Sequence, residues 1–375
     1  MICQSVRVRN FRNIEEAEVC FSEGVNVLVG ENAQGKSNLL EAIFYPSVGR
    51  SFRTSHTAEL IQFGNSDAEI ILSYRDDKRE QNIRVKIFRD KQRQVEKNGL
   101  KIEKLSDLVG SFRTVLFFPE HLSMIRSGPA ERRGYLDPAI SRLYPRYIHS
   151  LQRYYYFLKQ RNALIKGAYS DRATFDTTIE LWSRELAKEA AVLSAYRLAF
   201  IRRVSEHVAR IFAEMTGEKE CPTVHYKGSS GQLEEEYEDR KKTEEAYFSL
   251  FMSSHDREIA AGATLWGIHK DDMEIEINGK SARIYASQGQ QRSLALALKL
   301  AEGEITKEEF GDDPVLLLDD VLSELDGSRR EYLIHKIKDK QVILTGCEPT
   351  LLSELDDVHR ILVKNGAYFS FSKEK

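Results

Sequence analysis

Gly30-Glu31-Asn32-Ala33-Gln34-Gly35-Lys36-Ser37 decides how this chain is read. The spacing is G-x-x-x-x-G-K-S, the pattern of a phosphate-binding loop. Ahead of it lies Val25-Asn-Val-Leu-Val29, an apolar run that predicts a buried strand. Behind it, Asn38-Leu-Leu-Glu-Ala-Ile-Phe44 predicts a helix that stops at Pro46. Strand, glycine-rich loop and helix in succession are the context the motif needs. Glycines let the backbone wrap a phosphate closely, and the loop amides and helix N-terminus then face the anion. In that geometry Lys36 neutralises the β- and γ-phosphates and Ser37 ligates Mg2+. All eight residues of the loop are therefore assigned to a nucleotide.

A second half of the site lies near the other end. Pro314-Val-Leu-Leu-Leu318-Asp319-Asp320 is a buried strand ending in carboxylates, expected beside the loop's own strand. Paired with a phosphate loop, Asp319 holds Mg2+ and Asp320 orients the attacking water. Ser323-Glu-Leu-Asp326 follows, then a helix and a last buried strand, Gln341–Thr345. Upstream, Ser287-Gln-Gly-Gln-Gln-Arg-Ser293 opens a helix over Leu294–Glu302. That is either a simple capped helix or a second anion site. One nucleotide does not need two phosphate loops. On the second reading Ser287, Gly289 and Gln290 therefore serve the nucleotide of a second subunit.

Two loops stay open between readings. Asn10-Phe-Arg-Asn13 is a hairpin turn or brings Arg12 to the nucleotide. Gly49-Arg-Ser-Phe-Arg-Thr-Ser55 borders the phosphates or is merely solvated.

The 375 residues are 41% hydrophobic and 30% charged, enough to bury a core in two or three domains or in one large domain with an insertion. A net charge of −3 excludes a general polycation, so nucleic acid would need a local patch. Arg126 to Arg172 supplies one, with ten Lys and Arg against three acidic residues. Arg126, Arg132, Arg133, Arg142, Arg146 and Arg153 are its DNA-backbone candidates. Four scattered cysteines without a C-x-x-C pair suit a reducing cytosol and argue against a zinc or disulfide framework. Arg7, Arg9 and Arg12 break any signal peptide, and no run approaches a membrane span.

Alternating residues predict strands over 2–9 and 17–21; 68–74, 82–88 and 92–102 read as an antiparallel meander, 115–118 as a short buried strand, and 274–277 and 282–285 as further strands. Helical periodicity governs Tyr144–Lys166 and Thr174–Glu214. The aromatic run Tyr154–Phe157 is read as helix packing. The expected organisation is an ATPase domain in two parts, 1–129 and 261–375, around a helical arm of 130–260.

These motifs resemble the RecF family. Ser287-Gln-Gly-Gln-Gln-Arg292 is similar to its variant of the ABC signature. Gly30–Ser37 with Asn38–Ala42, Phe117-Phe-Pro-Glu120, Gly128-Pro129, Arg132-Arg133, Leu136-Asp137, Lys159-Gln-Arg-Asn162, Gly267-Ile-His-Lys-Asp-Asp272 and Leu316–Asp326 also resemble it. They run in the family's order from residue 6 to about 345. The resemblance implies an α/β fold: a P-loop ABC-type (Rad50/SMC-like) ATPase head with a helical insertion. It implies ATP and Mg2+ as cofactors and an ATP-dependent homodimer. It further implies a weak, DNA-stimulated ATPase that binds duplex or gapped DNA with little sequence preference. Such a protein works with RecO and RecR, in the cytoplasm, to load recombinase in repair and replication restart.

Departures bear on mechanism. Ala33 replaces a usual Gly, which suits only a negative φ. Ile268 stands for Pro and His121 for Asp. Asp320 replaces the ABC glutamate with one methylene less reach, and Thr345-Gly-Cys347 lacks the switch histidine, so slow turnover is expected. Three rival readings stand beside this one. An SMC head would need long heptad arrays, whereas Ser37 and Ser287 are only 250 residues apart. A transporter ATPase would need a membrane partner, and a scaffold would bind ATP without hydrolysing it.

Overall fold

The computed structural model describes residues 1–217, 220–346 and 358–371. These form two units. The first holds Met1–Ser123, Glu214–Gly217 and the described part of 292–375, and the second holds Met124–Ala213 and the described part of 218–291. In chain order the first unit contributes β1 (Ile2–Phe11), β2 (Ile14–Cys20), β3 (Val25–Val29), β4 (Asp67–Arg75), β5 (Glu80–Phe88), β6 (Gln94–Lys97), β7 (Leu100–Ile102) and β8 (Thr114–Phe117). The second contributes β9 (Pro222–Lys227), β10 (Asp272–Ile277) and β11 (Lys280–Ser281). The first resumes with β12 (Val315–Leu318), β13 (Val342–Gly346), β14 (His359–Lys364) and β15 (Ala367–Phe371).

One sheet of the first unit is an antiparallel meander, β2-β1-β4-β5-β6-β7. The other runs β15-β14-β3-β13-β12-β8, parallel except for edge strand β15. The parallel sheet is apolar on both faces, as a sheet covered on both sides must be. Val315 and Leu317 join the core that contains Leu39 and Ile43 of helix Lys36–Val48. Leu316 and Leu318 join the opposite core with Leu333 and Ile337 of helix Gly327–Ile337. Alternation of period two thus commits successive residues to opposite layers.

The expected adjacency of β12 and β3 is not observed. β13 lies between them, with Leu344 opposite both Leu318 and Val27. Val29 is level with Gly346, so β3, β12 and β13 all end at one edge. Gly30 and Asp319 leave the sheet there, where open α/β sheets bind ligands.

Other elements differ from the sequence reading. The helix of the loop continues past Pro46 to Val48, closed by Gly49 (φ 67), whose N–H donates to Tyr45 O at 2.7 Å. A proline in the last turn removes only one intrahelical bond, so the helix tolerates it. Ala282–Tyr285 is a helical turn, and only Lys280–Ser281 completes the hairpin with β10. Gln341–Thr345 is not the last strand, because β14 and β15 follow the undescribed 347–357. The second unit ends at Gln291 rather than 260. Its boundary follows from pairing: β10 aligns with β9 from Asp272 opposite Lys227 to Ile277 opposite Pro222.

Long helices carry the second unit: Pro129–Leu143, Pro145–Gly167 and the 45-residue Arg172–Thr216 as far as Ala213. Arg161 is fully buried, bonding Glu258 (2.6 Å), Ser183, Thr264 and the Phe251 carbonyl. Arg197 is equally buried against Asp137 (2.7 Å) and the Ile268 carbonyl. No described helix is long and apolar enough to cross a membrane. Glu258→Ala strands the Arg161 charge and is expected to destabilise the protein by about 3–5 kcal/mol, read as a lower urea midpoint for this unit.

Candidate nucleotide site

The loop between β3 and its helix is shaped from both sides. At Gly30 a Cβ would lie 2.4 Å from the Val363 carbonyl oxygen, so β14 leaves room only for glycine. Gly35 is the helix N-cap at φ 118, a conformation glycine enters without strain. No side chain caps this helix. Its N-terminus is therefore available to an anion, and its dipole favours one. Lys36, 8% exposed, donates from Nζ to the carbonyls of Gly30 (2.5 Å) and Glu31 (2.8 Å). Glu31, Asn32 and Ala33 form the exposed crest. Ala33 has φ +64 rather than the negative value expected for a non-glycine residue. Its methyl group there costs about 1 kcal/mol.

Asp319 emerges from β12 and meets this helix. Its Oδ1 accepts from Ser37 Oγ at 2.8 Å and from Thr345 Oγ1 at 2.9 Å. Its own N–H donates to the Phe117 carbonyl at 2.9 Å. Burial raises the Asp319 carboxyl above its ordinary pKa, with Asp320 adding to the rise; the two hydroxyls and Arg53 oppose it. Asp320 is exposed and sits at φ 52, its N–H donating to Thr345 Oγ1 at 2.8 Å. Ser323 Oγ donates to the Asp320 carbonyl at 2.8 Å, and Asp326 caps helix Gly327–Ile337 through the Arg329 N–H. Thr345 thus links both carboxylate positions, a role that reading 345–347 only for an absent histidine does not reveal. Cys347 lies outside the described residues.

Among the described residues no three His, Cys, Asp or Glu side chains converge as a metal cage. Ser37 Oγ and Asp319 Oδ1, 2.8 Å apart, are hard oxygen donors of the kind that fit Mg2+, which keeps waters and phosphate oxygens and takes few protein ligands. Ser37 and Asp319, already in contact, are the pair that would hold it.

The back of the loop is held by residues the sequence reading passed over. The tip of the β14–β15 hairpin donates from Gly366 N to the Gln34 carbonyl (2.9 Å) and from Asn365 N to Gln34 Oε1 (2.6 Å). Tyr368 OH donates to the Gly35 carbonyl at 3.0 Å, and Asn13 Nδ2 to that of Gln34 at 3.3 Å. Gln34 therefore faces the hairpin, not the mouth of the loop. Asn365-Gly366 is an Asn-Gly turn signal and could have revealed the hairpin. Arg12 forms a two-bond fork with buried Glu41 of the loop's helix, both bonds 2.9 Å. Its guanidinium is committed to that helix rather than aimed at a ligand. Arg53, from the basic loop of 49–55, donates to Asn38 at 2.7 Å.

In the second unit, Ser287 and Gln290 form a reciprocal cap. Ser287 N donates to Gln290 Oε1 (2.7 Å), and Gln290 N to Ser287 Oγ (3.2 Å). Ser287 is exposed and Gly289 half-buried. The basic stretch divides. Arg132 is a correction: it is 4% exposed and holds Asp272 through two 2.7 Å bonds, so it cannot serve DNA. Arg161 is likewise internal. Arg133 donates to the Asp271 carbonyl at 2.7 Å. Arg153 is exposed but paired with Glu189 (2.8 Å) and Glu185 (3.3 Å). Arg126 and Arg146 are exposed and Arg142 half-buried.

Ala33→Gly relieves the left-handed methyl and is expected to stabilise the fold by up to about 1 kcal/mol, measured as a rise in Tm. The raised pKa of Asp319 means that its ionised form opposes folding, so its contribution to stability falls as pH rises through that pKa. Asp319→Asn keeps an acceptor for both hydroxyls. It should raise the Tm of the nucleotide-free protein at neutral pH, and the gain should vanish in acid.

The family model described as RecF/RecN/SMC N terminal domain matches residues 2–368. The DNA replication and repair protein RecF of Clostridium novyi is 35% identical over 97% of this chain and 98% of its own length. RecF of an Exiguobacterium species is 39% identical over 92% of each. A solved recombination mediator protein, RecF-ATPrS of the RecFOR pathway, superposes with TM-score 0.92 at 33% identity, covering 99% of this chain and 98% of that one. An SMC head bound to the C-winged helix domain of ScpA shares the fold at TM-score 0.57 and 18% identity, covering 100% of this chain and 98% of that one. A loop, a carboxylate-ended strand and an ATPase-head fold in one chain, with relatives aligned along nearly its whole length, place it: the chain belongs to the RecF family of DNA replication and repair proteins, within the SMC-type ATPase heads.

Proposed function

We propose that this chain binds ATP with Mg2+, closes as a homodimer when ATP is held, and turns ATP over slowly while bound to DNA. The observation that carries the reading is the joint of Ser37, Asp319 and Thr345 beside an uncapped helix N-terminus and Lys36. The solved relatives are RecF-ATPrS and RecF-ATP of the RecFOR pathway. From that kinship we infer recombinase loading at gapped DNA, with RecO and RecR as partners.

Mg2+, when bound, neutralises charge on the β- and γ-phosphates. The chain's own residues do the rest. Lys36 turns from the Gly30 and Glu31 carbonyls to the phosphates. Ser37 and Asp319 orient the cation. Asp320 positions the attacking water, and its short side chain limits the rate. Ser287, Gly289 and Gln290 of a second copy cover the γ-phosphate, adding charge-assisted hydrogen bonds to the interface only while that phosphate is present. Hydrolysis then acts as a release timer. Arg146, Lys159 and Lys166 are exposed and ion-paired to no described residue, so with Arg142 they are our choice for phosphate contacts. Such contacts give little sequence preference and strong salt dependence.

Light scattering tests the dimer. Wild-type mass is expected to double with ATP and Mg2+. Ser287→Arg is expected to stay monomeric and lose phosphate release while binding ATP with unchanged affinity. A Ser287→Arg protein that dimerises like wild type overturns the trans-capping role.

A further inference from the structure

The second unit has a cavity of about 510 Å3 that the nucleotide reading does not use. Its walls include Ile125, Arg126 and Arg132 on one side and Ser281, Arg283 and Ile284 on another; Asp272–Ile275 of β10 also line it. β10 is paired along its whole length with β9, but β11 reaches only Glu276 and Ile277. Asp272 to Ile275 is thus a free sheet edge on the β11 side among the described residues.

The hairpin fixes which groups point there. Ile277 and Lys280 close a two-residue turn, Asn278 (φ 52) and Gly279 (φ 71), so they exchange backbone bonds across it. Alternation then aims the N–H and C=O groups of Met273 and Ile275 at the open side. The Met273 N–H is satisfied by Asp272 Oδ1 at 2.8 Å. The Ile275 amide and the two carbonyls have no strand to pair with.

Charge at this edge is unbalanced. Asp272 is neutralised by Arg132 and Glu274 by Lys227 at 2.6 Å. Arg126 and Arg283 are exposed and have no acidic partner among the described residues. Ile284, 71% exposed, supplies apolar surface at the rim.

We propose that this edge takes an extended acidic peptide segment of a partner protein, added as a fourth strand beside β10. Main-chain bonds to Met273 and Ile275 hold it, its carboxylates meet Arg126 and Arg283, and an apolar side chain covers Ile284. The free edge is four residues long, roughly 13 Å, which suits a short, exchangeable docking segment rather than a permanent subunit.

The test uses the full chain without nucleotide, so its outcome is independent of the ATP reading. The probe is Glu-Val-Glu-Val-Glu-amide carrying fluorescein on its N-terminal amine, followed by anisotropy, with its Lys-Val-Lys-Val-Lys counterpart labelled at the same position. Two N-methylated versions block either set of alternate amides. Saturable binding of the acidic peptide alone is expected, weakened at least tenfold in Arg126→Glu/Arg283→Glu and lost with one N-methylated version but not the other. Equal binding of both N-methylated versions and the parent overturns strand addition. Unchanged binding to the double variant overturns the charge match. Displacement by a short DNA duplex that loses its own binding in the double variant makes this a nucleic-acid site and overturns the proposal. No binding by the acidic peptide overturns it as well.

Discussion

A single buried carboxylate organises the first unit. Asp319 ends β12 at the edge where β3 also ends, and two hydroxyls from other elements converge on its Oδ1. Ser37 ties it to the helix of the phosphate loop, and Thr345 ties it to β13. Three chain segments far apart in sequence are thereby fixed at hydrogen-bond distance. Burial disfavours the ionised form of this carboxyl and raises its pKa, while the two hydroxyls and Arg53 oppose the rise.

The loop depends on a second constraint that acts from behind. Gln34 and Gly35 hang from the tip and flank of the β14–β15 hairpin. Gly30 is pressed against β14, where no side chain fits. A loop of exposed residues with one strained alanine is thus held by backbone contacts to a rigid sheet. Phosphate binding needs such preorganisation, because each amide left to wander adds an entropy cost on binding.

Much of this was legible in the sequence, for identifiable reasons. G-x-x-x-x-G-K-S, the strand before it and the paired Asp319-Asp320 are local patterns with a mechanical meaning, and the structure brings Ser37 and Asp319 into hydrogen-bond contact. The order of strands was not legible. Parallel strands carry continuous apolar runs, so nothing in Val25–Val29 or Val315–Leu318 tells which neighbour each takes. β13 could therefore intervene unseen. The positive φ of Ala33 was missed because a residue type only biases the backbone, and the surrounding contacts decide it. Arg132 and Arg161 failed as surface charges for a related reason. A count of charges does not reveal which are consumed by internal carboxylates, and both are.

Kinship and geometry converge on an ATPase head, and one measurement addresses most directly the proposal that Ser37 and Asp319 hold Mg2+ with its nucleotide. Affinity for a fluorescent ATP analogue should be titrated with Mg2+ and with chelator, in wild type and in Ser37→Ala. Mg2+ is predicted to tighten wild-type binding at least tenfold and to leave Ser37→Ala nearly unchanged. Equal tightening in both proteins would contradict a cation held by Ser37 and Asp319.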